Sequence, residues 1–303
     1  MGLLVALVLG IVQGVFMFVP VSSTSHLVLT QTLLRDRGVA LPSPDSPELI
    51  LFDLVVHVGT LVSVVIVMGD GLQELWHGVR ADVGARRRGV TRAPSLVDGP
   101  ATLGDGASIR LVGLMVLSVA VTGVLGLIFQ EVLTGLFGAP ALVAGALIVT
   151  GALLWWTDAM TPARSGRRLR FGWRGPTQVT VSVAVLIGLA QAVALAPGIS
   201  RSGTTIFAAL LLGMQRTLAA RYSFYIAIPT ILAATGAQAL LVVLGDGFGT
   251  ISWAAMAVGF VVAAVVGTAA LWLVLRLLEA ARFRAFSIYV WLLAAVVLVT
   301  GLG

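Results

Sequence analysis

Apolar residues run through the chain in long blocks rather than in the striped rhythm of half-buried elements. Six blocks, at about 50–68, 110–129, 139–157, 222–244, 252–274 and 286–303, approach the ~20 apolar residues that a helix needs to cross roughly 30 Å of hydrocarbon. Each is expected to be a full transmembrane helix. Two further apolar regions, 3–34 and 180–213, are broken near their middles, one by Pro20, Ser22, Ser23 and Thr24, the other by Pro197, Gly198, Ser200, Arg201, Ser202 and Gly203. Neither half of either region is long enough to cross. Because non-helical backbone at membrane depth needs protein or a wet cavity to satisfy its amides, both regions are expected to be re-entrant helix-loop-helix hairpins. The expected fold class is an all-α integral membrane protein, a single membrane domain over 1–303.

Arginine placement orients these elements, since short cytoplasmic loops are enriched in Arg and Lys. The loop at 69–109 holds Arg80, Arg86, Arg87, Arg88 and Arg92, and the loop at 158–179 holds Arg164, Arg167, Arg168, Arg170 and Arg174. Both are expected to be cytoplasmic, with two crossings between them. If the second hairpin returns to the cytoplasm, Arg216 and Arg221 lie inside, and after two more crossings so do Arg276, Arg282 and Arg284. Residues 35–48 and both termini then lie outside. The hairpins enter from opposite sides, which predicts an inverted-topology repeat with halves 1–157 and 180–303. Gly10-Ile-Val-Gln13-Gly14-Val15 and Gly188-Leu-Ala-Gln191-Ala192-Val193 echo one another, and each glutamine precedes a serine, Ser22 or Ser200, by nine residues. Chance likeness between Ala/Gly/Val-rich helices is the competing explanation. Paired broken helices point to a binding site at the repeat interface.

Composition agrees with the pattern. The 303 residues are 58% hydrophobic and 11% charged, against roughly 25% charged in soluble domains, and mean hydropathy is +1.05. A soluble globule is excluded. The 19 basic residues are all arginine and the acidic ones number 13, a net +6, but they cluster between apolar blocks and form no face for nucleic acid. With no cysteine there is no disulfide framework, thiolate zinc site or cysteine nucleophile. The start, MGLLVALVLG, has no basic n-region, so a cleaved signal peptide is not expected.

The chemistry-bearing residues sit at the two breaks. Pro20-Val21-Ser22-Ser23-Thr24-Ser25-His26 opens a helix, where hydroxyls and free N–H groups make an anion site. Pro197-Gly198-Ile199-Ser200-Arg201-Ser202-Gly203-Thr204-Thr205 adds glycines for close approach and an arginine fork suited to phosphate. An arginine at membrane depth costs about 2.5–3.5 kcal/mol or more, so Arg201 reads as functional rather than as a side chain snorkelling to the interface. Arg110, at the start of a crossing, reads as an interface anchor. His26 is either a hydrogen-bonded structural histidine or a proton carrier, with Ser23 or a neighbour as nucleophile; helix capping is the alternative for the serines. Asp53 and His57, four apart on one helix face, are expected to form a structural ion pair near the membrane surface, with a functional role as intramembrane ionisable groups as the alternative. Asp53 is also one of few carboxylates able to reach a membrane site. Asp36, Asp45, Glu48, Asp70, Glu74, Asp82, Asp98, Asp105, Glu131, Asp158, Asp246 and Glu279 fall in loops or at span ends.

Taken in order, Gly10-x-x-Gln13, Phe18-Val-Pro20-Val-Ser22-Ser23-Thr24-x-His26, Phe52-Asp53-x-x-x-His57-x-Gly59-Thr60, Gly188-Leu-Ala-Gln191-Ala192 and Pro197-Gly-x-Ser200-Arg201-Ser202-Gly203-x-Thr205 resemble the undecaprenyl-diphosphate phosphatase, or bacitracin-resistance, family. Ser223-Phe224 and Ile228-Pro229-Thr230 also fit, and the resemblance covers nearly the whole chain. It implies a multi-pass enzyme of the bacterial plasma membrane, with its site facing the outer side. Such an enzyme hydrolyses a C55 polyprenyl diphosphate to the monophosphate and recycles the carrier lipid of wall synthesis. By position, Ser23 is implied as nucleophile or phosphate ligand, His26 as proton carrier or alternative nucleophile, and Arg201 as phosphate clamp. Ser22, Thr24, Ser200, Ser202, Gly203 and Thr205 are implied as the cradle, with Gln13 as a further substrate-binding residue. A divalent cation, Mg²⁺ or Ca²⁺, is implied as cofactor, with Gln13 and Asp53 as weak ligands here, because Met17 stands where the E/Q-x-x-x-E motif has its second glutamate. Arg221 stands where an acidic residue is frequent. The expected partners are the polyprenyl diphosphate and membrane lipid, not nucleic acid, and a homodimer is compatible with the sequence. A family member that binds or transports a polyprenyl phosphate without hydrolysis is the alternative reading, and an unrelated transporter of a small anion is the third.

Overall fold

The structure is a computed structural model, described here for residues 1–44, 46–89, 106–129, 140–160, 175–244 and 252–300. Eleven α-helices are described: α1 Leu3–Phe18, α2 Ser23–Asp36, α3 Pro47–Val67, α4 Gly69–Arg87, α5 Ala107–Ile128, α6 Pro140–Ala159, α7 Val181–Val193, α8 Arg201–Leu211, α9 Arg216–Leu244, α10 Trp253–Glu279 and α11 Arg284–Thr300. Among the described residues, five helices are long and apolar enough to cross a membrane: α3, α5, α6, α9 and α10. The sixth expected span corresponds to α11, whose described 17 residues make a shorter apolar helix. The chain is a multi-pass, all-helical membrane protein.

Helix ends follow local chemistry. At α3, Ser46 Oγ accepts from Leu49 N at 3.3 Å, Pro47 occupies the first turn where its missing N–H costs nothing, and Glu48 faces the positive end of the helix. Glu48 also takes the N-terminal ammonium at 2.9 Å. Thr180 caps α7 and Ser252 caps α10 in the same way.

The 69–109 segment, read above as an arginine-rich loop, begins instead with α4. Its charges hid a regular helix whose purpose is packing. Buried Asp82 accepts from Gly106 N, Ser108 N and Ile109 N, each at 3.0 Å, and so anchors the start of α5. Of the arginines used for orientation, Arg92, Arg164, Arg167, Arg168, Arg170 and Arg174 lie outside the described residues, as do Asp45, Asp98, Asp105, Glu131 and Asp246.

Small residues bring the helices together, as expected where lipid tails compete for every apolar face. Helix α1 packs on α10 and α3, and α10 on α3. A Cβ on Gly59 would collide with the Phe260 backbone, and one on Gly10 with Gly259 O. Helix α7 packs on α5 and α11 on α6, while α1–α2 and α7–α8 each form a helix-break-helix pair. Leu127, Leu244 and Val299 are among the exposed side chains, an outer surface fit for lipid.

Candidate active site

The first break follows from Pro20, which cannot continue α1. The chain turns through Ser22, whose φ of 70° is left-handed for a residue with a side chain, and α2 starts at Ser23. Ser22 makes no side-chain cap; its hydroxyl meets Ser25 Oγ at 3.1 Å. The Ser22 hydroxyl therefore does not compete for the first-turn N–H groups of α2.

The second break is fastened to α6. Gly198 has φ 88°, and a Cβ there would press on Val143 O and Ala146 Cβ. Thr150, buried on α6, donates to Gly198 O at 2.9 Å and accepts from Ser200 N at 3.1 Å. Ser200 then caps α8 by accepting from Gly203 N at 3.2 Å.

The two helix starts open into one cavity of about 370 Å³, lined by Ser22, Ser23 and Thr24 on one side and Ser200, Arg201 and Ser202 on the other. Helix α3 contributes Leu54 and His57, and α9 contributes Thr230, Ile231, Ala234, Thr235 and Gln238. Met17 lies between the two loops. Its sulfur is 3.5 Å from Gln13 Nε2, 3.9 Å from Ser23 Oγ and 3.9 Å from Arg201 Nη2. These are long, weak contacts to a poor acceptor. Among the described residues, no carboxylate pairs with Arg201.

Several expected site residues lie off the cavity wall. His26 is buried beside it, stacked on Phe16 at 3.8 Å. Its Nδ1–H donates to Ser22 O at 2.7 Å, since a carbonyl only accepts, and that tautomer lets Nε2 accept from Tyr289 OH at 2.8 Å. Both ring nitrogens are thus engaged in holding the first loop to α11. Gln13 is buried behind Met17, with Oε1 unpartnered among the described residues. Thr205 donates to Arg201 O at 2.8 Å and shares a short hydrogen bond with Ser223, and Gly203 packs on Ser200 and Leu154. These three support the cradle from behind.

The expected Asp53–His57 ion pair does not form. The Asp53 carboxylate accepts from Gln31 Nε2 at 3.1 and 3.3 Å, while His57 Nδ1–H donates to the Asp53 backbone carbonyl at 2.6 Å. An acceptor on the preceding turn, the Asp53 backbone carbonyl, took the imidazole N–H in place of the carboxylate. His57 instead reaches the cavity, as do Thr230 and Gln238; the Ile228-Pro229-Thr230 string was the only sequence signal for that wall.

A hard divalent cation binds through oxygen, with carboxylates central to the set. Among the described residues, no carboxylate lines this cavity, Asp53 is taken by Gln31, and Gln13 turns its amide nitrogen to a thioether. Among the described residues, no group of three or more His, Asp or Glu could hold a metal. The donors present do not fit such an ion.

Residues 6–296 match the family model described as bacitracin resistance protein BacA. The chain belongs to that family. Its curated relatives include the undecaprenyl-diphosphatase of Halorhodospira halophila, 46% identical over 98% of this chain and 97% of the relative. That of Alkalilimnicola ehrlichii is 46% identical over 97% and 95%, and that of Desulforapulum autotrophicum 34% identical over 97% and 96%. The family thus spans the whole bundle, including both broken helices and the cavity between them.

Proposed function

We propose that this chain hydrolyses undecaprenyl diphosphate to undecaprenyl phosphate and inorganic phosphate, returning the carrier lipid to wall synthesis. The observation that carries this reading is Arg201, which faces a cavity ringed by hydroxyls and two helix starts with no carboxylate beside it among the described residues. An uncompensated guanidinium at that depth calls for an anionic ligand. Leu54, Leu195, Ile199, Ile231 and Ala234 supply an apolar wall beside the polar floor, suited to a prenyl chain.

Phosphoryl transfer is mostly positioning and charge stabilisation. Arg201 clamps the terminal phosphate, while Ser22, Thr24, Ser200 and Ser202 donate to its oxygens. Ser23, on the cavity wall, is the nucleophile: its Oγ–P bond forms as the bridging P–O bond breaks, releasing undecaprenyl phosphate. Water then attacks the phosphoserine and frees inorganic phosphate. His26, with both nitrogens engaged, positions this loop.

The topology we propose has six crossings, two re-entrant hairpins and an inverted repeat, with the cavity facing outward and the arginine-rich segments inside. In its support, the packing of α1 on α10 is mirrored by α7 on α5, and that of α3 on α10 by α9 on α5. Gly10 and Gly188 occupy matching places, facing Gly259 O and Ser118 O.

Met17 favours the second reading, a member that binds polyprenyl phosphate without hydrolysing it, because a thioether sits between Gln13, Ser23 and Arg201 where a carboxylate would accept from all three. Phosphate release from C55 or shorter polyprenyl diphosphate by purified protein separates the two, with Arg201→Ala and Met17→Glu beside it. The phosphatase reading expects release by the starting protein and a loss of 100-fold or more in Arg201→Ala. No release, with a gain in Met17→Glu, overturns the phosphatase reading and favours the binding one.

A further inference from the structure

Resting on the phosphatase reading, we infer that His57 is the catalytic proton carrier of this site. Of the described residues lining the cavity, only His57 and Arg201 have side chains that are charged or can exchange a proton near neutral pH, and arginine does not give its proton up. A nucleophile there has one imidazole available to it.

The tautomer is fixed by geometry. Because a backbone carbonyl only accepts, the 2.6 Å contact to Asp53 O places the proton on Nδ1 and leaves the lone pair on Nε2. Among the described residues, Nε2 has no hydrogen-bond partner, whereas His26 has both nitrogens engaged, at 2.7 and 2.8 Å. The carbonyl holds the ring one turn along α3 from Asp53, whose carboxylate is itself held by Gln31 and so does not compete for it. The two histidines divide the work: one fixes the loop, the other faces the ligand.

In the first step, the proton of Ser23 Oγ passes to His57 Nε2 as the O–P bond forms and the bridging P–O bond breaks. Nε2–H then gives that proton to the departing lipid phosphate. In the second step water loses a proton to the freed Nε2 as it attacks phosphorus, the Ser23 O–P bond breaks, Nε2–H returns the proton to Ser23 Oγ, and inorganic phosphate leaves. The sum is diphosphate plus water to monophosphate plus phosphate. Arg201 stays charged throughout.

The test is steady-state hydrolysis of a polyprenyl diphosphate across pH by the full chain in detergent, for wild type, His57→Gln and His26→Gln. General acid–base catalysis contributes about 10²–10⁴-fold. His57→Gln is therefore expected to lose at least 100-fold in kcat with KM within about threefold, and its residual rate to lack the rise with pH expected of wild type. His26→Gln, whatever its rate, is expected to keep that rise. A His57→Gln protein that keeps wild-type kcat, or keeps the rise, overturns the assignment while leaving the phosphatase reading intact; a wild-type chain that releases no phosphate overturns both. Should His57→Gln fail to fold, diethyl pyrocarbonate labelling of wild type decides: His57 carbethoxylated, and protected by methylenediphosphonate, is the expected result, and an unreactive or unprotected His57 refutes it.

Discussion

Thr150→Val removes one hydroxyl and almost nothing else. The side chain is 1% exposed, lies on α6 away from the cavity lining, and valine matches its shape. Two hydrogen bonds go with it: Gly198 O loses its donor at 2.9 Å and Ser200 N its acceptor at 3.1 Å. A buried backbone group left unpaired costs about 1–3 kcal/mol, so the native loop position becomes less favourable by about 2–6 kcal/mol before relaxation. The loop relaxes by leaving α6, and Arg201 is the next residue after Ser200. If about 2 kcal/mol of that is felt in the transition state, kcat/KM falls about 30-fold. Thr150→Ser keeps both bonds and loses a methyl worth about 0.8 kcal/mol, so its kcat/KM stays within about threefold of wild type. Phosphate release by the three proteins at equal folded concentration measures this. A valine variant within threefold of wild type, or a serine variant as impaired as the valine one, would refute the reasoning.

Other substitutions probe the same scaffold. Gly198→Ala puts a Cβ on a left-handed residue pressed against Val143 O; the strain of about 1–2 kcal/mol plus overpacking of about 1–3 kcal/mol should lower both melting temperature and kcat. Asp82→Ala strips the start of α5 of its acceptor for three N–H groups. A loss of about 0.5–2 kcal/mol in stability is expected, read as a lower melting temperature with kcat preserved below it. Tyr289→Phe removes the 2.8 Å bond to His26 and should cost about 1 kcal/mol of loop positioning. It is expected to slow hydrolysis several-fold without moving the pH profile, and a shifted profile would return His26 to the chemistry.

What was legible in the sequence was whatever interrupted an apolar block. Pro20, Pro197 and the polar residues after them stood out because lipid permits no unexplained break, and Arg201 stood out because charge at depth is costly. Residues that blend with a span were hidden. Thr150 is one hydroxyl in an apolar run, and only the fold brings it to Gly198. His57 misled differently: its spacing from Asp53 suits an ion pair, yet the imidazole bonded the backbone one turn back and the carboxylate found Gln31 on α2, a partner no local pattern identifies. Helix α4 was missed for the opposite reason, because its arginines signalled a loop while Asp82 signalled nothing.

An arginine with no carboxylate beside it among the described residues ties affinity to stability. Any anion that binds at Arg201 in the folded chain alone stabilises the fold by RT ln(1 + [L]/Kd), about 2.7 kcal/mol at a hundred times Kd. Depth also weakens screening by salt, which acts fully only on exposed charges. Heat resistance in detergent should therefore climb with added diphosphate and change little with added sodium chloride, so that a melting curve alone reports occupancy of the site.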